Sequence, residues 1–302
     1  MNSFFTLNSL SVMLRFIGLP APRHPSICIL DYEKSPVQLE LPNQKVICDF
    51  YQISFKGDSQ GQMKYGRQQY DYQEGSLVYL SPGQVIEYSD NNQVNAQSGW
   101  TLFFHKDLIR RFPLEQKMKS YAFFDYQSNE ALHISEQEKE IIASILGKIE
   151  IELNSHIDDF SEEVIVTNLE LLLNYSKRFY NRQFITRKRF DSDVVLKFQR
   201  LLTDYFEQGL QREQGLPNVA YFAGKLNYSP NYLNELIKKS TDKNILEQVH
   251  AQIVEMAKSQ LLQTDKSVSE IAFDLGFDYS QYFNRFFKKK TGVTPGAYRK
   301  SG

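Results

Sequence analysis

Along this chain the apolar positions keep two different periods. Up to about residue 105 they come in short alternating runs, and from about residue 131 they recur every three or four positions. The first pattern is carried by "VICDFYQISFKG", "QQYDYQEGSLVYLSPGQVIEYS" and "SGWTLFFH", rich in β-branched and aromatic residues and interrupted by Gly, Pro, Asn and Asp. It predicts short antiparallel strands forming a barrel or sandwich over residues 24–130. "EGSLVYLSPGQ" reads as a strand entered from a glycine turn and left through a Pro-Gly turn.

The second pattern predicts helices. Ser135 and Glu138 form a capping box ahead of Ile141, Ile142, Ile145, Leu146, Ile149 and Leu153, which keep helical spacing. Val164, Ile165, Leu169, Leu172 and Leu173 make a second stripe. This helical pair, residues 131–184, can cover the β region of its own chain or face a second copy in a homodimer. The basic tract "ITRKRFDSD", residues 185–193, reads as a linker: its cations repel, and Asp191 to Asp193 offer an N-cap for the next helix.

Residues 194–302 contain a repeat. "YSPNYLNELIKKSTD" lies over "DYSQYFNRFFKKKTG", so that Tyr232, Asn234, Lys238, Lys239 and Thr241 meet Tyr282, Asn284, Lys288, Lys289 and Thr291. Each copy parses as helix, tight turn, helix. Ser229 and Pro230 suit an N-cap and first helical position, Ser267 and Glu270 a capping box, and Gly276 a positive φ after a helix. Ala223 and Ala272 stand where crossing helices approach closely. Leu233, Leu236 and Ile237 in one copy, and Phe283, Phe286 and Phe287 in the other, would point inward. Between the copies, "ILEQVHAQIVEMAKSQLLQTD" predicts one helix of about 18 residues, about 27 Å long. It would set the two outer helices about one DNA turn, about 34 Å, apart.

Charge sharpens this picture. The net charge is -1, but residues 188–302 hold 17 Lys+Arg against 13 Asp+Glu, while the remainder holds 18 against 23. A basic module joined to an acidic one suggests a polyanion-binding end. The outward faces carry Asn231, Asn234 and Glu235 in the first copy, and Gln281, Asn284 and Arg285 in the second. Asn and Gln can pair with the adenine edge, Arg with guanine, and Glu can accept from cytosine. Lys238, Lys239, Lys288 and Lys289, with Ser229, Ser280 and Tyr282 near the helix starts, are the expected phosphate contacts.

These tandem units resemble the C-terminal DNA-binding domain of the AraC/XylS family of bacterial transcription regulators. "SVSEIAFDLGFDYSQYFNRFFKKKTGVTPGAYRK" is similar to that family's most specific stretch almost throughout. The first unit departs from the pattern, with Asp242 in place of a glycine and Gln252 in place of an arginine. The resemblance covers roughly residues 195–300. It implies a module that reads two adjacent major grooves of double-stranded DNA. In it Gln281, Asn284 and Arg285 match base-contact positions, and Asn231, Asn234 and Glu235 match more loosely. The N-terminal half is similar, less specifically, to sensor halves built from a cupin-like barrel and helices. There the barrel often binds a small-molecule effector and the helices often dimerise.

The expected fold class is therefore α+β. An N-terminal arm (1–23), a small antiparallel cupin-like β-barrel and a helical pair precede an all-α tandem helix-turn-helix domain. The expected function is an effector-responsive transcription regulator, an activator in its family likeness, with DNA and RNA polymerase as partners. A regulator whose barrel serves only dimerisation or polymerase contact is the alternative, and a cupin-type metal enzyme is a remote one. No enzyme activity, metal or other cofactor is expected, because His24, His105, His133, His156 and His250 are scattered rather than clustered. Two cysteines, Cys28 and Cys48, and no run long enough to span a membrane point to a cytoplasmic setting. Arg15 interrupts the apolar N-terminus, which lacks the basic start of a secretory leader. Phe50, Tyr51, Phe55, Tyr70, Tyr72, Tyr79 and Tyr88 either line a pocket or fill a core.

Overall fold

A computed structural model describes residues 4–40, 45–56, 63–65, 68–70, 75–87, 93–96, 98–126, 130–156, 158–186 and 188–301. It divides into two compact units, residues 1–183 and 184–302. Among the described residues no helix is long and apolar enough to cross a membrane.

The first unit opens with β1 (Phe4–Leu7) and α1 (Leu10–Phe16), followed by β2 (Ile27–Asp31), β3 (Val37–Glu40), β4 (Lys45–Cys48) and β5 (Phe50–Lys56). Then come β6 (Met63–Tyr65), β7 (Gln68–Tyr70), β8 (Ser76–Leu80), β9 (Val85–Glu87), β10 (Gln93–Ala96) and β11 (Gly99–His105). α2 (Lys106–Ile109), α3 (Leu114–Met118), a 3-10 turn (Ala122–Asp125) and β12 (Leu132–His133) lead into α4 (Glu136–Asn154) and α5 (Ser161–Thr186).

The strands form one sheet in the order β1-β4-β9-β6-β7, a second in the order β12-β8-β5-β11-β2, and a separate β3–β10 pair. β1 runs parallel to β4, and the second sheet is antiparallel, with Leu102 opposite Ile53 on one side and Ile29 on the other. Val46, Cys48 and Ile86 of the first sheet meet Leu30, Phe50, Val78 and Phe103 of the second in one buried cluster, joined by Leu10, Met13 and Leu14 of α1. The expected barrel is thus not closed among the described residues. Alternating apolar positions serve an open sandwich as well as a barrel; closure depends on how edge strands pair, which periodicity does not encode.

Every residue of β8 is buried, because its other face is covered as well. Tyr79 there packs on Phe123, Phe124 and Tyr180 of α5. Phe50 and Tyr79 are therefore core; Tyr51 stacks on Phe104 at 4.8 Å and Phe55 on Trp100 at 6.0 Å. Tyr72 and Tyr88 lie outside the described residues, and Tyr70 is described only as part of β7. Burial pushes the thiols of Cys28 and Cys48 up to about 12, which leaves them as unreactive small hydrophobes.

α4 begins at the capping box of Ser135 and Glu138 and buries Ile142, Ile145, Leu146 and Ile149. In α5 the stripe of Ile165, Leu169, Leu172 and Leu173 is buried, but Val166 takes the inward place and Val164 is 41% exposed. Arg182 grips Glu138 through two bonds, of 3.1 and 2.6 Å, and also donates to the His133 carbonyl.

The second unit contains α6 (Lys188–Glu207), α7 (Gln211–Gln214), α8 (Val219–Leu226), α9 (Pro230–Thr241), α10 (Ile245–Gln263), α11 (Val268–Asp274), α12 (Ser280–Thr291) and α13 (Pro295–Ser301). The sequence suggested a linker over 185–193; among the described residues there, α5 reaches Thr186 and α6 starts at Lys188, ahead of Asp191 to Asp193. Repulsion between neighbouring helical cations costs only a few tenths of a kcal/mol. The apolar face of Phe198, Leu202, Tyr205 and Phe206 outweighs it, with Phe198 edge-on to Phe222 of α8 at 5.0 Å.

Candidate nucleic-acid interface

The repeat in the sequence becomes two helix-turn-helix units, α8–α9 and α11–α12, joined by α10. Ala223 and Ala272 are 1% and 0% exposed, which is what a close helix crossing requires. The turns share a hydrogen bond: the Tyr228 N–H donates to the Ala223 carbonyl, and the Phe277 N–H to the Ala272 carbonyl, each at 3.0 Å. Asn227 and Gly276 supply the left-handed backbone at φ 59° and 88°. Ser267 and Glu270 form the expected capping box of α11. Beneath them α7 braces the second unit, the Gln211 side-chain amide donating to the Asp274 carbonyl at 3.0 Å.

The path from the buried alanine to the cap of the next helix is one residue longer in the second unit, Ala272 to Tyr279 against Ala223 to Ser229. Ser229 caps α9 by accepting from the Tyr232 N–H, but the matching position before α12 is Tyr279, which makes no side-chain cap. Ser280 therefore sits where Pro230 does, at the first helical position, and its carbonyl accepts from Asn284 at 3.0 Å.

Leu233, Leu236, Ile237, Phe283 and Phe287 are buried, as expected of inward positions. Phe286 is half-buried, packed on His250 and Phe277 at 5.1 and 5.4 Å. The outward residues divide into two groups. Asn231, Gln281 and Arg285 are exposed and Glu235 is half-exposed. Asn234 is half-buried and its carbonyl oxygen accepts from the Ile245 N–H at 3.2 Å, which commits it to the start of α10. Asn284 likewise spends its amide on its own helix. Ser229, 3% exposed, is a structural cap rather than an open phosphate contact.

The cations fall on one sequence pattern and stay open. Lys238, Lys239, Lys288, Lys289 and Lys290 are exposed, and among the described residues neither they nor Arg285 make an ion pair. Their field is felt nearby: the His250 imidazole is held below its ordinary value of 6.5, by burial first and then by Lys290 and Lys289, against an opposing pull from Glu247. Tyr282 is 58% exposed, unlike its repeat partner Tyr232, which is 3% exposed. Sequence reasoning missed Tyr279, 64% exposed and edge-on to Tyr282 at 5.6 Å. It also missed α13, whose signal was the Thr294-Pro295 start; Arg299 there donates to the Leu261 and Lys266 carbonyls at 3.0 and 2.6 Å.

A helix-turn-helix domain family matches residues 222–301. Those residues form an AraC-type helix-turn-helix domain. The chain is 46% identical over 77 residues to YtdP, an HTH-type transcriptional regulator of Bacillus subtilis, covering 26% of this chain and 10% of that one. It is 38% identical over 114 residues to the transcriptional regulatory protein YesN of the same organism, covering 36% and 29%. Among solved structures, the C-terminal domain of the response regulator AraT from Geobacillus stearothermophilus is 29% identical, with 36% of this chain and 85% of that one covered at a TM-score of 0.33. The chain thus spans only 10% and 29% of the length of the two relatives, and the likeness speaks for this AraC-type domain.

The histidines stay apart in their surroundings. His24 accepts from the Ser26 N–H, His105 caps α2 by accepting from the Asp107 N–H, and His133 bonds Ser76. Among the described residues, no group of three His, Cys, Asp or Glu comes together to hold a metal ion.

Proposed function

We propose that the chain is a sequence-specific, DNA-binding transcription regulator that inserts α9 and α12 into adjacent major grooves. The observation that carries this reading is the open face of α12, where Gln281 and Arg285 lead a run of unpaired lysines. An unpaired cationic run beside exposed amide and guanidinium groups suits phosphate positioning together with base-edge recognition. α10, with 19 residues, is about 28 Å long, which suits one turn of DNA between the two helices.

In this reading Arg285, Gln281, Asn231 and Glu235 address bases, and Lys238, Lys239, Lys288, Lys289 and Tyr282 address phosphates. The β-rich unit, an opened cupin-like sandwich with its helices, receives an effector and forms a homodimer that presents the DNA-binding units to RNA polymerase. Exposure of Ile151 at 68%, and of Val164 and Leu171 seven residues apart on α5, supports the homodimer.

The test is selection of genomic fragments by the purified chain, followed by footprinting of the best one. Protection of two successive major grooves on one face of the duplex is the expected result. Binding without sequence preference by both the full chain and residues 184–302 would overturn the base-reading role.

A further inference from the structure

The first unit holds a cavity of about 350 Å³ between the α4–α5 turn and the segment that leads into β2. Pro25, Leu153 and Ile165 give it an apolar floor, and Glu152, Asp158, Asp159 and Glu162 bring carboxyls to it. Part of this acidity has a local cause. Asp158 accepts from the Phe160 N–H at 2.9 Å and from the Ser161 hydroxyl, and Glu162 lies in the first turn of α5, where negative charge suits the helix dipole.

Glu152 has no such cause. It is half-buried in the last turn of α4, where the dipole disfavours an anion, and that turn contains no basic residue. Among the described residues Glu152, Asp159 and Glu162 make no ion pair, whereas the neighbouring Glu150 pairs with Lys34 at 3.6 Å. A half-buried carboxylate against the dipole calls for a cation from elsewhere.

His24 supplies the opposite polarity. Its side chain lines the same cavity and is 8% exposed. Its Nδ1 accepts from the Ser26 N–H at 3.2 Å, so in the neutral ring the proton sits on Nε2, for which no hydrogen-bond partner exists among the described residues. Burial lowers the pKa of this imidazole and keeps it neutral, with Glu162 pulling the other way. The cavity therefore offers carboxylate acceptors, one N–H donor and an apolar floor. A metal ion would find no set of three ligating groups among the described residues.

We infer that this cavity binds a compact organic ammonium compound that also carries an acceptor oxygen: the ammonium meets Glu152 and Glu162, and the oxygen accepts from His24 Nε2. The inference rests on the effector-responsive reading of the β-rich unit and names the chemical class of that effector. The site lies outside the space between the two sheets, so the aromatic core need not open to admit a ligand.

The test is titration of the full chain, without DNA, with three probes matched in size: 4-aminobutan-1-ol, butylammonium and 4-hydroxybutanoate, followed by calorimetry and ligand-observed NMR. The expected order is aminobutanol tightest, butylammonium weaker and the anion undetected. The double variant Glu152→Gln/Glu162→Gln, with an unchanged melting curve in buffer, should weaken both cations about tenfold or more, the loss of a charge-assisted bond. His24→Phe should remove the advantage of aminobutanol over butylammonium while leaving butylammonium binding in place. Equal binding of the anion, unchanged affinity in the Gln variant, or no probe binding at all would overturn the inference. Because no DNA is present, such a failure leaves footprinting by the same preparation intact. Failed footprinting with intact probe binding would count against the regulator reading alone.

Discussion

A Cβ built on Gly276 would lie 2.7 Å from the carbonyl oxygen of Gln211, so the turn of the second helix-turn-helix unit and the short helix beneath it fit only if residue 276 has no side chain. The same residue sits at φ 88°, so two independent constraints meet at one position. Gly276→Ala is expected to cost about 2 kcal/mol or more, adding left-handed strain to a clash with backbone that cannot swing away. Gly292, at φ 84° with nothing within 4 Å of its virtual Cβ, carries only the first constraint. Gly292→Ala should cost about 1 kcal/mol. Urea denaturation of the two variants checks the difference; equal costs would mean that α7 yields.

Asp242 occupies in α9 the place that Gly292 occupies in α12, each ending its helix in the left-handed region, at φ 59° and 84°. A residue with a Cβ is strained there, though Asp less than most. Asp242→Gly should stabilise the second unit by about 0.5–1 kcal/mol, and removing a carboxylate beside Lys238 and Lys239 should also strengthen binding to any duplex. A loss of stability in the denaturation curve would show that Asp242 is held by something other than its backbone.

Much of the DNA-binding unit was legible because its signals are local. Caps such as Ser229 and Ser267, the positive φ of Gly276 and the buried pair Ala223 and Ala272 each follow from a few neighbouring residues and backbone chemistry. The base-reading list was less legible. A residue's face can be read from helical period, but that the Asn234 carbonyl oxygen accepts from an N–H eleven positions along the chain cannot. The longer path in the second unit was likewise not drawn from the sequence: the repeat already lays Ser229 over Tyr279, but Ala223 and Ala272 lie 49 positions apart where Tyr232 and Tyr282 lie 50 apart, and no local signal marks the difference. In the first unit, alternation gave strands but not their closure, because edge pairing is set by contacts far apart in sequence.

Asn234 supplies the acceptor for the Ile245 N–H, one of the donors that a helix start leaves without an intrahelical partner. Asn234→Ala should therefore lower stability by about 1 kcal/mol and leave base preference unchanged. Denaturation together with a binding-site selection on the variant separates the two roles. A changed preference at one base pair with unaltered stability would return Asn234 to the base-reading set.

Arg285 and Lys289 share α12 but are expected to act differently. Arg285→Ala should cost about 1–3 kcal/mol on the selected site and relax the choice at one base pair. Lys289→Ala should weaken all duplexes alike and reduce the slope of log affinity against log salt by about one. Titrations against the selected site and a scrambled duplex at several salt concentrations decide it. An equal loss on both duplexes for Arg285→Ala would assign it to phosphate instead.

His250 gives the DNA-binding unit a pH dependence with a definite sign. Burial, Lys290 and Lys289 lower its folded pKa below 6.5, with Glu247 only partly offsetting them. Above 6.5 the ring is neutral whether the chain is folded or not, and its contribution to stability is complete. As pH falls below 6.5 the unfolded chain takes up the proton first, so stability is lost progressively toward and through the lowered folded value. The melting temperature of residues 184–302, a compact unit by itself, should therefore fall between pH 7 and about pH 5.5. His250→Gln should flatten that fall, since the ring contact with Phe286 is given up but no proton is exchanged. An equally steep fall in the variant would place the titrating group elsewhere.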